Sequence, residues 1–463
     1  MTSSISSRAA SAKTIALRPL AALLVALGGC SGGSKPVPVV APPPATTEVR
    51  QPAAAEDPNA PLVAKMLAKV ERARQLPSKH PVASRTMARA ALIAQVRAHT
   101  KDEVPPDAVR GQGELLVAYG LIPPTYDYEK GVFDLLEQQL AGYYEPADKH
   151  MYLAGDLGGA DADATLAHEL VHALQDQHYE LGPQIAYHDD AGDRSGAVHA
   201  LAEGDAMSAM MDVLFAEKGM TALDVPDDAL AMQMRAQVLL SGVAKDVPPV
   251  LQTSLVAPYI DGIAFVSKLR RRGGWKEVDR VWHAPPTTTE QLLHLDKYDA
   301  HEPPLAVPAA SVGALGGGFR VLYTDLFGEQ SLRLALEEWG RRKEAEAIAA
   351  GWGGDRASLL VRDKGGVEER FASWFVRWDE SACTKAKRAF AFVGRGVAPG
   401  IRQDRVSFVC RERTDLGPIA VAWAGCNLLL TGGPFTRKSG GTAEARSSCA
   451  EVEPWATATV QAR

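Results

Sequence analysis

Residues 165–180 read TLAHELVHALQDQHYE, and within them His168-Glu169-Leu170-Val171-His172 sets two histidines four positions apart. On a helix that spacing brings the imidazoles to one face, about 40° apart, so both can reach a single ion. Glu169, next to the first histidine, is placed to address a water on that ion. The residue types suit the chemistry. Neutral imidazole is a good zinc ligand, the ion makes its water acidic, and a nearby carboxylate takes the proton as general base. Wound at about 100° per residue, Thr165, Glu169, His172, Gln175, Asp176 and Tyr179 fall on the histidine side, while Leu166, Ala167, Leu170, Ala173 and Leu174 form an apolar back. That division predicts a packed helix with one polar, reactive face.

Catalytic zinc generally takes three protein ligands and leaves one position open. His178 continues the pattern HExxHxxGxxH, but the glycine that would turn the chain back is Gln175 here. If the helix runs on, His178 stands about 120° around from His172. Glu203, in HALAEGDAM (199–207), is the better third ligand. On a helix over roughly 196–217, Ala200, Ala206, Met207, Met210 and Leu214 share its side, and a carboxylate on an apolar face needs a partner or a metal. Asp205 points about 200° away and cannot serve the same ion. His199, one turn earlier, is placed to orient Glu203 from outside the ligand set. Asp176 leans back toward His172 and could accept its other N–H. The expected centre is Zn²⁺ on His168, His172 and Glu203, with Glu169 as base.

Hydrophobic residues at 46% and charged residues at 23% describe a chain that can bury a core. Lys+Arg at 50 against Asp+Glu at 56 gives no basic footprint, which excludes nucleic acid as an expected partner. Arg8, Lys13 and Arg18 precede PLAALLVAL (19–27), the charged and apolar parts of an export signal too short to be a convincing membrane span. The segment LGGC, ending at Cys30, resembles a bacterial lipobox. It implies lipidation of Cys30 and anchorage in a bacterial cell envelope, and Ser31 points to the outer membrane. The Pro-rich residues 31–58 read as an extended tether. Cys383, Cys410, Cys426 and Cys449 remain, and an exported chain can pair them in three ways.

The expected fold class is α+β. A mainly helical domain over 59–310 carries a short hairpin in GYYEPADKHMYLAG (142–155), and a smaller α+β module covers 311–463. RTMARAALIAQVRA (85–98) reads as helix, residues 284–308 as loop and GWGGDR (351–356) as a turn. In the module, a helix is expected near 329–350 and another near 380–392. Strands are expected near 357–363, 371–378, 404–411 and 418–430.

AHELVHALQDQHYEL together with HALAEGDA resembles the zinc metallopeptidases of the gluzincin kind. It is most similar to a group of prokaryotic envelope proteins that share the HExxHALQDQ and EGDA blocks. LLEQQLAGYYEP upstream, and PYIDGIAFVSKL and PPTTTEQLLH downstream, are also similar to that group. The likeness spans roughly 130–300. It implies a zincin-like fold in which a strand edge, here of the 142–155 hairpin, pairs with an extended peptide. It also implies a Tyr or His that steadies the oxyanion, with Tyr259 and His294 the foremost candidates beside His283 and Tyr298. One difference stands out: many gluzincins carry an acid four residues after the ligand Glu, where this chain has Met207. The implied activity is zinc-dependent hydrolysis of peptide or protein substrates by a lipid-anchored envelope protein. The alternative is an envelope lipoprotein of the same fold that binds or scaffolds without catalysis.

Overall fold

The computed structural model describes residues 57–156, 158, 160–240, 246–309, 312–313, 317–399, 407–437 and 443–461. The expected signal, Cys30 and nearly all of the tether lie outside them. The architecture is α+β, with helices packed on a three-stranded and a seven-stranded sheet.

The first part runs α1 (Ala60–Arg74), β1 (Ala83–Met87), α2 (Arg89–Glu103), α3 (Pro106–Ala118), α4 (Tyr128–Gln139), β2 (Gly142–Glu145) and β3 (His150–Ala154). Pro106 opens α3 at a position where its missing N–H costs nothing. The hairpin forms as expected, and its EPADK turn closes with Lys149 N–H donating to the Glu145 carbonyl at 2.8 Å. The reading of 85–98 as one helix is corrected. Arg85, Thr86 and Met87 belong to β1, which runs parallel to β3 with Arg85 opposite Tyr152, and α2 starts at Arg89. Pairing to β3 decides this, because ASRTM has no apolar periodicity of its own. The strand order β1-β3-β2 leaves one edge of β2 outside the sheet ladder.

Next come α5 (Ala160–Tyr179), α6 (Leu181–Ile185), α7 (Gly192–Phe215), α8 (Asp227–Leu240), α9 (Pro249–Gly273) and α10 (Trp275–His283). By length and composition α9 would suit a membrane, but 78% of its apolar window is buried, so it is a core helix. It crosses α7 backbone to backbone. A Cβ on Gly204 would lie 2.1 Å from the Gly262 carbonyl carbon, and one on Gly262 would lie 1.8 Å from the Ala200 oxygen. The glycine of EGDA is therefore a contact point, directly beside Glu203.

Residues 284–308 are not all loop, since α11 (Thr289–Leu293) and α12 (Leu295–Asp299) form there and Thr288 caps the first by accepting from Gln291 N–H. Then follow β4 (Arg320–Asp325), α13 (Gly328–Glu337), α14 (Arg342–Ala349), β5 (Trp352–Asp363), β6 (Glu368–Trp378), α15 (Cys383–Val397), β7 (Phe408–Arg413), β8 (Gly417–Ala424), β9 (Asn427–Arg437), β10 (Ala443–Ala445) and α16 (Cys449–Gln461). The second sheet is antiparallel in the order β4-β5-β6-β9-β8-β7, with β10 on β9. The single helix expected at 329–350 is two, and the strand expected at 418–430 is a hairpin turning at Gly425, φ 57°. Both faces of this sheet are covered, so its strands lack the alternation that marks a half-exposed one. GWGGDR is not a turn but mostly the head of β5, where Leu305 N–H donates across to the Gly353 carbonyl at 2.6 Å.

One face of β6 packs Ala372, Trp374, Val376 and Trp378 against α3 and α15; Phe371 and Phe375 on the other meet Trp455 of α16. The core under the sheet thus includes Ala108, Leu115 and Tyr119 from far upstream of residue 310, so the hydrophobic core does not divide there. Of the three cysteine pairings, the fold has Cys383–Cys426 and Cys410–Cys449.

Three buried aspartates lie where the helical part meets the sheet, and Asp325 bonds across between the two. Asp193, in the first turn of α7, accepts from Thr289 N–H and its hydroxyl. Asp325 accepts from Gly192 N–H, and Asp355 from Phe327 and Gly328 N–H. Gly328, φ 76°, is obligatory, because a Cβ would sit 1.7 Å from Asp193 Oδ1. Burial pushes Asp193 up to about 8 despite its bonds to Thr289, and pushes Asp325 and Asp355 to about 6. An acid raised in the fold contributes stability below its unfolded value, near 4, and loses it as pH rises through the folded value. The urea midpoint should therefore fall between pH 5 and 9. Asp193→Asn should flatten the limb above pH 6 and exceed the parent at pH 9, whereas parallel curves would remove Asp193 as the cause.

Candidate metal centre

α5 and α7 together build the centre. α5 is packed on both sides, with Leu166, Ala167, Leu170, Ala173 and Leu174 buried behind it and Glu169 and Gln175 buried in front. The expected polar face is thus interior and not solvated. His168 and His172 extend from it, and α7, buried from Ala197 to Asp212, presents Glu203 opposite. His168 Nε2 lies 3.0 Å from Glu203 Oε2 and 3.2 Å from His172 Nε2, and His172 Nε2 lies 3.8 Å from Glu203 Oε2. Tetrahedral ligands about 2.0–2.1 Å from a zinc ion stand roughly 3.3–3.4 Å apart. The three observed separations bracket that value, and two imidazole nitrogens with a carboxylate oxygen are a zinc donor set. The residues fit the ion.

Among the described residues a second group, Glu290, Glu302 and Asp379, converges as closely. There the Lys297 ammonium sits among the three acids at 2.5, 2.9 and 2.6 Å. Its charge does what a metal would do, so that cluster is an ion-pair joint between α11, α12 and the end of β6.

The surroundings of the centre sort the remaining candidates. His199 Nε2 is 3.1 Å from the other oxygen of Glu203, in the orienting position expected of it. Asp176 does not take the outer nitrogen of His172, because its carboxylate accepts from the Tyr144 hydroxyl of β2 at 3.0 Å. Gln175 holds that nitrogen instead, its Oε1 being 2.8 Å from His172 Nδ1. Asp205 faces away into Arg74 and Trp282. α5 continues past residue 178, so His178 turns outward to the Pro77 carbonyl. Tyr259 of α9 is buried with its ring 6.1 Å from that of His168, whereas His294 pairs with Glu329 at 2.9 Å. Tyr298 donates to the Ala284 carbonyl, and His283 packs on Tyr179. Sequence reasoning missed Gln175 and Tyr144. The first shares the histidine face of α5, which was the available signal; nothing in the sequence announces the second.

Glu169 is anchored to the hairpin. Its Oε2 accepts from Tyr144 N–H at 3.0 Å. Because Ala154 N–H donates to the Ala141 carbonyl, residues 143 and 145 face β3 and the amides of Gly142 and Tyr144 turn outward, toward the centre. Burial raises Glu169 above the usual carboxylate range, with His172 and His168 pulling it partly back. Burial would raise Glu203 as well, but the histidines outweigh it and hold that carboxyl well below its usual value.

The chain matches no protein-family profile and no curated protein. Among solved structures it overlaps one titled "Crystal structure of a putative hydrolase with a novel fold from Chloroflexus aurantiacus" at 17% identity, covering 54% of this chain and 92% of that one, with a TM-score of 0.32. So loose an overlap carries no argument here.

Elemental analysis after dialysis should find about one zinc per chain in the parent and in His178→Ala, and near none in Glu203→Ala. Zinc retained by Glu203→Ala would remove that residue from the ligand set.

Proposed function

We propose that this chain is a zinc-dependent peptidase, with His168, His172 and Glu203 holding the ion and Glu169 acting as general base. The observation that supports it most is the placing of Glu169, which adjoins the three converging donors and has one oxygen fixed by the outward-facing edge of β2. Zinc bound there supplies a Lewis acid and a water that is nucleophilic near neutral pH. With Oε2 held by Tyr144, the other oxygen of Glu169 takes the proton from the attacking water and passes it to the departing amine. The outward amide of Gly142 pairs with an extended peptide main chain, and Tyr259, whose ring lies 6.1 Å from that of His168, is the group that steadies the oxyanion. Within this reading the protein is lipid-anchored through Cys30 in a bacterial cell envelope, at the outer membrane, and acts on peptides or proteins.

A second reading is a non-catalytic envelope lipoprotein whose metal is structural. The depth of the centre favours it, with side-chain exposures of 5%, 13% and 3% for His168, His172 and Glu203. Glu169→Gln separates the two. For a peptidase the variant keeps its zinc, and cleavage of a mixed peptide library falls by about 10²–10⁴-fold. A zinc-loaded wild type that cleaves nothing in that library leaves the binding role standing.

A further inference from the structure

Gln175 is fully buried on α5, and both ends of its amide are committed. One end lies 3.0 Å from the carbonyl oxygen of Ala202 on α7. A carbonyl only accepts, so that end is the NH₂. The other end is therefore the oxygen, and it lies 2.8 Å from His172 Nδ1. An amide oxygen also only accepts, so Nδ1 carries the hydrogen, and in the neutral ring the lone pair is on Nε2. Nε2 is the atom that faces His168 and Glu203.

We propose that Gln175 is a positioning residue that locks His172 in the tautomer and ring orientation a metal requires, an inference that rests on the zinc reading above. Ala202 immediately precedes Glu203, so the same amide also fixes α5 against α7 beside the third ligand. The chain of bonds runs from the α7 backbone through one side chain to a ligand of the neighbouring helix, and Gln175 is the link that reads the identity of both ends. Loss of such an outer partner weakens metal binding by about 10–100-fold.

A side chain that merely joins two helices would affect stability and metal affinity together, so two substitutions are chosen to separate them. Gln175→Met has similar bulk and loses both bonds. Gln175→Glu keeps an acceptor for Nδ1–H but sets a carboxylate oxygen against the Ala202 carbonyl. Zinc affinity is measured by chelator competition on the full chain in detergent, and stability by urea midpoint on the metal-free form. The expected result is a crossing. Gln175→Met binds zinc about 10–100-fold more weakly, Gln175→Glu stays closer to the parent, and Gln175→Glu is the less stable of the two. Affinities that follow the order of stabilities, or a Gln175→Met protein that binds zinc as tightly as the parent, overturn the positioning role while leaving the zinc site intact. A folded wild type that binds no zinc overturns the zinc reading itself, and this inference with it.

Discussion

A carboxylate held among three histidines inside a helical core is the constraint on which this structure turns. Removing an ionised group from water carries a penalty of several kcal/mol even after the protein relaxes, and Glu203 is 3% exposed. The fold meets that cost locally. His168 and His199 each contact one oxygen, His172 stands 3.8 Å from the first, and every one of them must be delivered by a helix packed tightly enough to exclude water. The Gly204–Gly262 crossing provides that tightness, since any side chain at either position would push α7 and α9 apart at the residue next to the carboxylate.

The second sheet serves the same end from a distance. Asp325 at the end of β4 receives the first turn of α7, Asp193 ties that turn to α11, and the Lys297 cluster ties α11 and α12 to the end of β6. These joints are buried and polar, so they are directional: they set where α7 starts, and with it the height at which Glu203 meets the two histidines.

Much of the centre was legible in the sequence because helical spacing is a strong constraint. Residues four apart on α5 must share a face, which gave His168 and His172, and the opposite headings of Glu203 and Asp205 followed from the same geometry. Contacts set by tertiary packing were not legible. Asp176 and Gln175 occupy the same face, and only the position of β2 decides that Asp176 takes the Tyr144 hydroxyl and leaves His172 to Gln175. The parallel strand β1 was hidden for a similar reason, as its pairing comes from β3 and not from its own residues. In the second sheet, burial of both faces erased the alternation that locates strand ends, so a hairpin read as one strand and a glycine-rich strand head read as a turn. The hairpin at 142–155 was the exception, because its turn residues are local.

The packing of α3 under the second sheet fixes the order in which the molecule can come together. Ala108, Leu115 and Tyr119 join the core that holds Trp352, Trp374 and Trp378 only after more than two hundred intervening residues have been made, and Tyr119 packs directly on Trp374. Closing so long a loop is entropically costly and comes late. A chain shortened after residue 310 would leave that helix with an uncovered apolar face and α7 without its Asp325 anchor. The part that bears the histidines is therefore not a detachable unit, and a nascent chain holds an unfinished centre until its final strands arrive.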